Sequence, residues 1–229
     1  MALVLLDVDG TLLDNPSSEL RFIGRLLRQG TLGPSQWTAL LWFYVRWWPR
    51  YGNNVPRKNK AYLKGLSVTE LADEGEAFVV RDLAPQLRPW VVERIQAHQE
   101  HGDEVVLVTG TPEFVAAPLA RHLGVHYWAA TRCDQRQGRY TAAPPTEHPY
   151  GAEKLTAARR LCRQLGYRLG EAVAYADSRH DIPLLEAVAQ AVAVTPDATL
   201  ATRAREAGWE IMEPPSVAQG TAVHSSVKR

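Results

Sequence analysis

With 229 residues, 45% of them hydrophobic, the chain can bury one good core, or one core carrying a modest inserted module. Its 26 lysines and arginines against 25 acids leave a net charge of +1, which excludes a global field that recruits nucleic acid or an anionic membrane. Any anion must therefore be met by a local site. Cys133 and Cys162 are too few for a disulfide framework and suit a reducing cytoplasm, with a single chance disulfide left open.

Ala2 to Leu6 is a short apolar run ending in acidic and glycine residues, the form of a fully buried parallel strand that enters a functional loop. It is too short for a membrane span and lacks the basic flank of a signal peptide, so neither is expected.

The interval from Asn15 to Leu83 has helical periodicity and no strand, and is expected to form an inserted helical cap over residues 15–83. Trp37, Leu40, Leu41, Tyr44, Val45 and Trp48 fall on one helical stripe, which is expected to be the core of that cap. Trp42, Phe43 and Trp47 lie off the stripe and offer a second face to the main domain or to a substrate, which makes Trp47 a candidate for selectivity. Trp37 to Trp48 is also the most membrane-like stretch, but it is short, contains Arg46 and is closed by Pro49. A buried helix is expected there in preference to a membrane-surface one, and no membrane partner. Arg46, Arg50, Arg57, Lys58, Lys60 and Lys64 make the interval locally basic, as a solvated helix face does, or as a funnel for an anionic substrate does. Ser67-Val68-Thr69-Glu70 has the capping-box pattern that opens a further helix.

Beyond residue 83, apolar runs at Val105 to Val108, Ala172 to Ala176 and Ala191 to Val194 alternate with helical patterns at Trp90 to His101, Glu113 to Leu123, Ala152 to Leu165 and Ile182 to Val188. Thr111 is placed to cap a helix whose first residue is Pro112, and Gly124 follows its apolar end. Asp134 to Thr141, with Gly138 in its middle, suits a polar hairpin. The alternation predicts an α/β fold of Rossmann-like type over residues 1–14 and 84–213, a parallel sheet covered on both faces, with ligands beyond the carboxyl ends of the strands. The tail, residues 214–229, is expected to fray.

That sheet edge carries the chemistry. Asp7 and Asp9 follow the first strand and alternate around Val8, so their carboxylates can converge as the chain turns at Gly10. Such a pair suits phosphoryl transfer, one carboxylate attacking phosphorus and the other protonating the leaving oxygen and then activating water. Thr109-Gly110 ends the second run, Lys154 stands at the start of a helix after Gly151, and Asp177-Ser178-Arg179-His180-Asp181 ends the third. His98, His101, His122, His126 and His148 lack zinc-ligand spacing and are given no functional role.

The string Leu5-Leu6-Asp7-Val8-Asp9-Gly10-Thr11-Leu12 resembles the first motif of the haloacid dehalogenase superfamily, and the three later segments match its other motifs in order across nearly the whole chain. The helical insertion after the first motif, with Val108-Thr109-Gly110-Thr111-Pro112 and Gly151 to Lys154, is most similar to the phosphoserine-phosphatase-like branch. The resemblance implies Asp7 as nucleophile and Asp9 as acid and base. It implies Thr109, Gly110 and Lys154 around the phosphate, and magnesium held by Asp7, Asp177 and the Asp9 carbonyl, with Ser178, His180 and Asp181 in support. The substrate implied is a small phosphorylated metabolite. The branch usually carries a glutamate nine residues after the nucleophile to grip a substrate ammonium; Pro16 stands there, and Glu19 is the nearest replacement. His180 stands where asparagine is common. A phosphomutase, and a catalytically idle sensor of a phosphorylated ligand, remain as alternatives.

Overall fold

The computed structural model describes residues 1–215, so the expected frayed tail lies almost wholly outside the described residues. Six parallel strands form the main sheet: β1 (Leu3–Leu6), β2 (Glu104–Pro112), β3 (Tyr127–Thr131), β6 (Val173–Ala176), β7 (Gln190–Val194) and β8 (Glu210–Met212). Their spatial order is β3-β2-β1-β6-β7-β8, and each neighbouring pair is parallel. The order reverses at β1, which pairs with β2 on one side and β6 on the other; this is the position where an open α/β sheet forms its ligand crevice.

The sheet forms here because its strands are apolar on both faces. Val4 and Leu6 join Val105, Leu107, Val173 and Tyr175 in one buried cluster, while Leu3 and Leu5 join Val106, Val108, Ala174 and Ala176 in the other. That division follows the two-residue period of a strand. The first cluster is covered by α5 (Pro89–Glu100) and α6 (Glu113–His122), the second by α7 (Ala152–Leu165), α8 (Ile182–Leu185) and α9 (Ala198–Ala207). A small hairpin of β4 (Gln135–Arg136) and β5 (Arg139–Tyr140) stands where the turn at Gly138 was expected.

Between β1 and α5 lie α1 (Ser18–Arg28), α2 (Pro34–Tyr51), the short α3 (Val55–Lys58) and α4 (Val68–Phe78). The Ser67 hydroxyl accepts from the Glu70 N–H and opens α4, as the capping pattern predicts. The helical insert shares the core. Phe22 of α1 lies 5.2 Å, ring to ring, from Phe78 of α4 and 5.0 Å from Phe114 of α6. Gly75 lets α4 and α6 touch, since a Cβ there would fall 1.9 Å from the Phe114 carbonyl oxygen.

Three expectations are corrected. Strands β3 and β8, at the two sheet edges, were not expected, because they are short and their partly exposed ends break the apolar runs. Thr111 does not cap α6; the helix starts at Glu113 and the Thr111 hydroxyl is engaged in the candidate site. The largest correction concerns α2. The stripe of Trp37, Leu41, Tyr44, Val45 and Trp48 faces outward, and the buried side is Gln36, Ala39 and Phe43, packed with Val55 and Ala61. Two hydrogen bonds hold this side in place: the Gln36 amide donates to the Lys64 carbonyl at 2.8 Å and the Asn59 amide to the Leu40 carbonyl at 3.1 Å. Periodicity identifies apolar faces but does not say which of two has a partner, and the small Ala39 side admits closer approach.

Candidate active site

Three adjacent strands, β1, β2 and β6, deliver Asp7, Thr109 and Asp177 to one edge, because their registers place Leu6 beside Leu107 and Tyr175. A cleft of about 300 Å³ opens there, lined among others by Asp7, Asp9, Thr109, Gly110, Lys154, Asp177, Ser178, His180 and Asp181. A larger cleft of about 520 Å³ at the opposite edge, lined by Arg94, His98, Asp103 and Glu210, holds none of these residues. Volume alone does not select the site; the convergence of polar groups does.

Lys154 is the hub of the cleft floor. Its ammonium lies 2.8 Å from Asp7 Oδ1 and 2.8 Å from Asp181 Oδ1, with the lysine and both carboxylates buried. Ser178 donates from Oγ to the other Asp181 oxygen at 3.0 Å. Carboxylate oxygens of Asp7, Asp177 and Asp181 all lie within 4.8 Å of one another. Burial raises the Asp7 carboxyl well above the carboxylate range despite Lys154, and burial together with Asp181 pushes Asp177 up to about 6. Burial also opposes the Lys154 ammonium, but the Asp181 and Asp7 carboxylates outweigh it and raise its pKa. Three carboxylates around one ammonium lack positive charge, and an all-oxygen donor set of this kind fits a hard divalent cation such as magnesium. Gly10 is required by the same crowding, because a Cβ on it would fall 2.0 Å from Asp177 Oδ2, and its φ is +88°.

Asp9 is held apart from that group. Its carboxylate accepts from the Ser18 N–H at 2.6 Å, the Ser18 hydroxyl at 3.1 Å and the Thr111 hydroxyl at 3.2 Å. Burial raises its pKa and these donors oppose the rise. Thr109 donates in turn from its hydroxyl to Thr111 Oγ1 at 3.0 Å, which links the two halves of the site. Ser18 was not singled out in the sequence, although a serine at a helix start facing an acidic loop was the available signal, and Thr111 was expected only as a helix cap.

At the rim the sequence expectations divide. Glu19 does line the cleft, but its carboxylate is already taken by the Lys60 ammonium and by the Tyr62 hydroxyl, the latter at 2.8 Å. Lys60 is thus buried and paired, not part of a solvated face. Trp47 does not line the cleft; it stacks on Tyr51 at 5.8 Å within the small cluster of α2. His180 does line it, 4.9 Å from the Tyr150 ring, with Arg57 from α3 lying 4.6 Å over the same ring. Lys58 reaches across to Glu153 at 2.8 Å and ties α3 to α7.

His148, given no role from sequence, is a buried part of the cleft wall. Thr131 donates its only hydroxyl proton to the Gly110 carbonyl at 2.6 Å, so at its 2.8 Å contact with His148 it accepts from Nδ1–H. His148 Nε2 is then a bare acceptor, buried without a partner. Burial and the nearby Lys60, Lys58 and Arg57 charges hold its pKa down to about 3.

Comparison with known proteins bears on the family and the fold. The family described as haloacid dehalogenase-like hydrolase matches residues 4–186. A phosphoserine phosphatase of Mycobacterium tuberculosis (strain H37Rv) is 38% identical over 157 residues, covering 69% of this chain and 51% of that relative. The chain thus spans about half the length of this relative. A histidinol-phosphatase of Neisseria meningitidis is 28% identical over 217 residues, covering 92% of this chain and 97% of that one. Among solved structures, a protein with unknown function from Bordetella pertussis Tohama I superposes with a TM-score of 0.77 at 31% identity, covering 92% of this chain and 97% of that one. A substrate-bound phosphoserine phosphatase, 18% identical with a TM-score of 0.59 and 92% of each chain covered, shares the fold. The family match over residues 4–186, most of the chain, thus places this chain in the haloacid dehalogenase-like hydrolase family.

Proposed function

We propose that the chain is a magnesium-dependent phosphatase that hydrolyses the phosphate monoester of a small metabolite through an aspartyl-phosphate on Asp7. The observation that carries this reading is the division of labour between the two carboxylates of the first loop. Asp7 lies against Lys154, a cation fit to hold an attacking carboxylate and a phosphoryl group together, whereas Asp9 lies apart among neutral donors with a raised pKa, as a group that gives and takes a proton must. Asp7 would attack phosphorus in line, while Asp9 gives a proton to the departing alcohol oxygen and later takes one from the water that opens the acyl-phosphate. Lys154, the Thr109 hydroxyl and the Gly110 backbone would meet the phosphoryl charge. Asp7, Asp177 and the Asp9 carbonyl, with Asp181 beside them, would hold magnesium, which when bound supplies charge stabilisation to phosphoryl transfer.

The phosphoserine phosphatase and the histidinol-phosphatase are named for esters of amino alcohols, but among the described residues the rim of this cleft has no free carboxylate for an ammonium. Glu19 is held by Lys60 and Tyr62, while Arg57 and His180 stand open to the cleft. This favours an ester whose alcohol part is neutral or anionic. Phosphate release from a panel that includes phosphoserine, histidinol phosphate and non-cationic esters, with and without magnesium, tests the reading. Release that requires magnesium is expected, with non-cationic esters preferred. Transfer of phosphate between hydroxyls without net release would indicate a mutase, and binding without turnover a sensor.

A further inference from the structure

The turn that offers Thr109 and Gly110 to the cleft has a layer of support behind it that the chemistry above leaves unused. One peptide unit is central, the one joining Gly110 to Thr111. Its carbonyl, on Gly110, accepts from the Thr131 hydroxyl at 2.6 Å, and its N–H, on Thr111, donates to Thr109 Oγ1 at 3.1 Å. Thr131 in turn accepts from His148 Nδ1–H at 2.8 Å. The Thr109 hydroxyl then donates to Thr111 Oγ1 at 3.0 Å, and the Thr111 hydroxyl to Asp9 Oδ2 at 3.2 Å. The donors thus run one way, from His148 through Thr131 and this peptide unit to Thr109, Thr111 and Asp9. His148, Thr131, Thr109 and Thr111 are all buried.

Glycine is the reason such support is needed. Gly110 carries no Cβ, so a flip that exchanges the directions of its carbonyl and of the Thr111 N–H meets no side-chain obstacle of its own. A flipped unit turns a carbonyl oxygen toward Thr109 Oγ1 in place of an N–H. That oxygen draws the Thr109 proton to itself and sets the negative end of a dipole on the side where the turn faces an anion. Thr131 opposes the flip by holding the carbonyl toward itself, and Thr131 does not line the cleft. A hydroxyl has one proton to give, and with Nδ1–H of His148 on the Thr131 oxygen that proton is left for Gly110. The His148 ring is itself built in. A Cβ on Gly110 would fall 3.8 Å from its Cε1, and the ring stacks on Tyr150 at 5.9 Å. The segment before it is tied to the end of β3, with the Arg132 N–H donating to the Glu147 carbonyl at 3.0 Å and the Thr146 N–H to the Arg132 carbonyl at 2.8 Å. Arg160 ties the same segment to α7, 2.6 Å from Glu147.

We propose that His148 and Thr131 are positioning residues of the phosphate-binding turn. They fix the Gly110–Thr111 peptide unit, and through it the direction of the Thr109 hydroxyl and of the donor that Asp9 receives from Thr111. The proposal rests on the reading of Thr109 and Gly110 as phosphate contacts. The turn serves the phosphoryl group that all esters share, so disturbing it acts on every ester alike, unlike a change at the rim.

The test compares Thr131→Val, which keeps the shape of the side chain and loses its hydroxyl, with Thr131→Ser, which keeps the hydroxyl. Beside it stand His148→Phe and His148→Asn, the latter with a side-chain amide that can donate in place of Nδ1–H. Two quantities are measured on the folded proteins: the dissociation constant of labelled inorganic phosphate in magnesium, by equilibrium dialysis, and kcat/KM for an aryl phosphate and for alkyl esters of unlike alcohol parts. Thr131→Val and His148→Phe should weaken phosphate binding about tenfold and lower kcat/KM about 10²-fold, by one factor for all esters, while Thr131→Ser and His148→Asn stay within about threefold of the parent. Parental values of both quantities in Thr131→Val and His148→Phe would overturn the proposal and leave the phosphatase reading standing. Equal losses in Thr131→Ser and Thr131→Val would also overturn it, because they mark a packing effect, and so would losses confined to one ester. If the parent turns over no ester, the phosphatase reading fails and the phosphate constants still decide the positioning role; a parent that binds no phosphate overturns both. Should Thr131→Val not fold, the two His148 variants decide.

Discussion

Lys154 Nζ stands 2.8 Å from Oδ1 of Asp7, and neither side chain has appreciable contact with water. Removing that ammonium leaves buried carboxylates facing one another. Lys154→Met should lower turnover by about 10²–10³-fold, as loss of a group that stabilises transition-state charge does. In chelator it should also cost about 3–5 kcal/mol of stability, the usual result of breaking a buried ion pair on one side. Steady-state kinetics and denaturant unfolding measure the two effects separately.

The carboxylates of Asp7, Asp177 and Asp181 give the metal prediction a readout that does not depend on turnover. Magnesium should raise the melting temperature of the parent in proportion to occupancy, since it binds the folded chain alone. Asp177→Asn should lose that magnesium-dependent rise while remaining folded. Chelation should also stop phosphate release, and magnesium should restore it.

His148 predicts how stability changes in mild acid. Its folded pKa is held down to about 3 from an ordinary 6.5, so between those values the unfolded chain binds the proton and the folded chain does not. The stability this residue contributes is complete above pH 6.5 and is lost as pH falls from there toward 3. His148→Gln should flatten that part of the curve of unfolding midpoint against pH. An unchanged slope would show that another group sets it.

Much of this arrangement was legible in the chain itself. Asp7, Thr109 and Asp177 each end an apolar run, and parallel strands in register must bring such ends to one edge. Lys154 was legible only through its place in a series of motifs, because a lysine near a helix start has no local signature. What was not legible depended on partners distant in sequence. Ser18 and Thr111 matter because α1 and β2 meet at Asp9, Glu19 is neutralised by Lys60 from a later turn, and α2 buries its smaller face because Val55 and Ala61 return against it. Periodicity reports that a face is apolar; only tertiary contacts decide whether it is covered.

Glu19 and Trp47 now carry different expectations, since only the former lines the cleft. Glu19→Gln frees the buried Lys60 ammonium from its carboxylate and should shift relative rates toward esters with an anionic alcohol part. Trp47→Ala should lower stability by about 3–5 kcal/mol, or less for its partial burial, and leave the ratios of kcat/KM among esters unchanged. Ratios that move with Trp47 would place it nearer the substrate than its contacts with Phe43 and Tyr51 indicate.

The most direct test of the proposed chemistry is rapid acid quench of the protein turning over an activated aryl phosphate, followed by assay for acid-stable, hydroxylamine-sensitive phosphate on the chain. Label should form on the parent, accumulate to a larger fraction in Asp9→Asn, where the acyl-phosphate forms but water is no longer activated, and be absent from Asp7→Asn. Hydrolysis at the parental rate by folded Asp7→Asn, or equal labelling of that variant and the parent, would contradict an aspartyl-phosphate on Asp7.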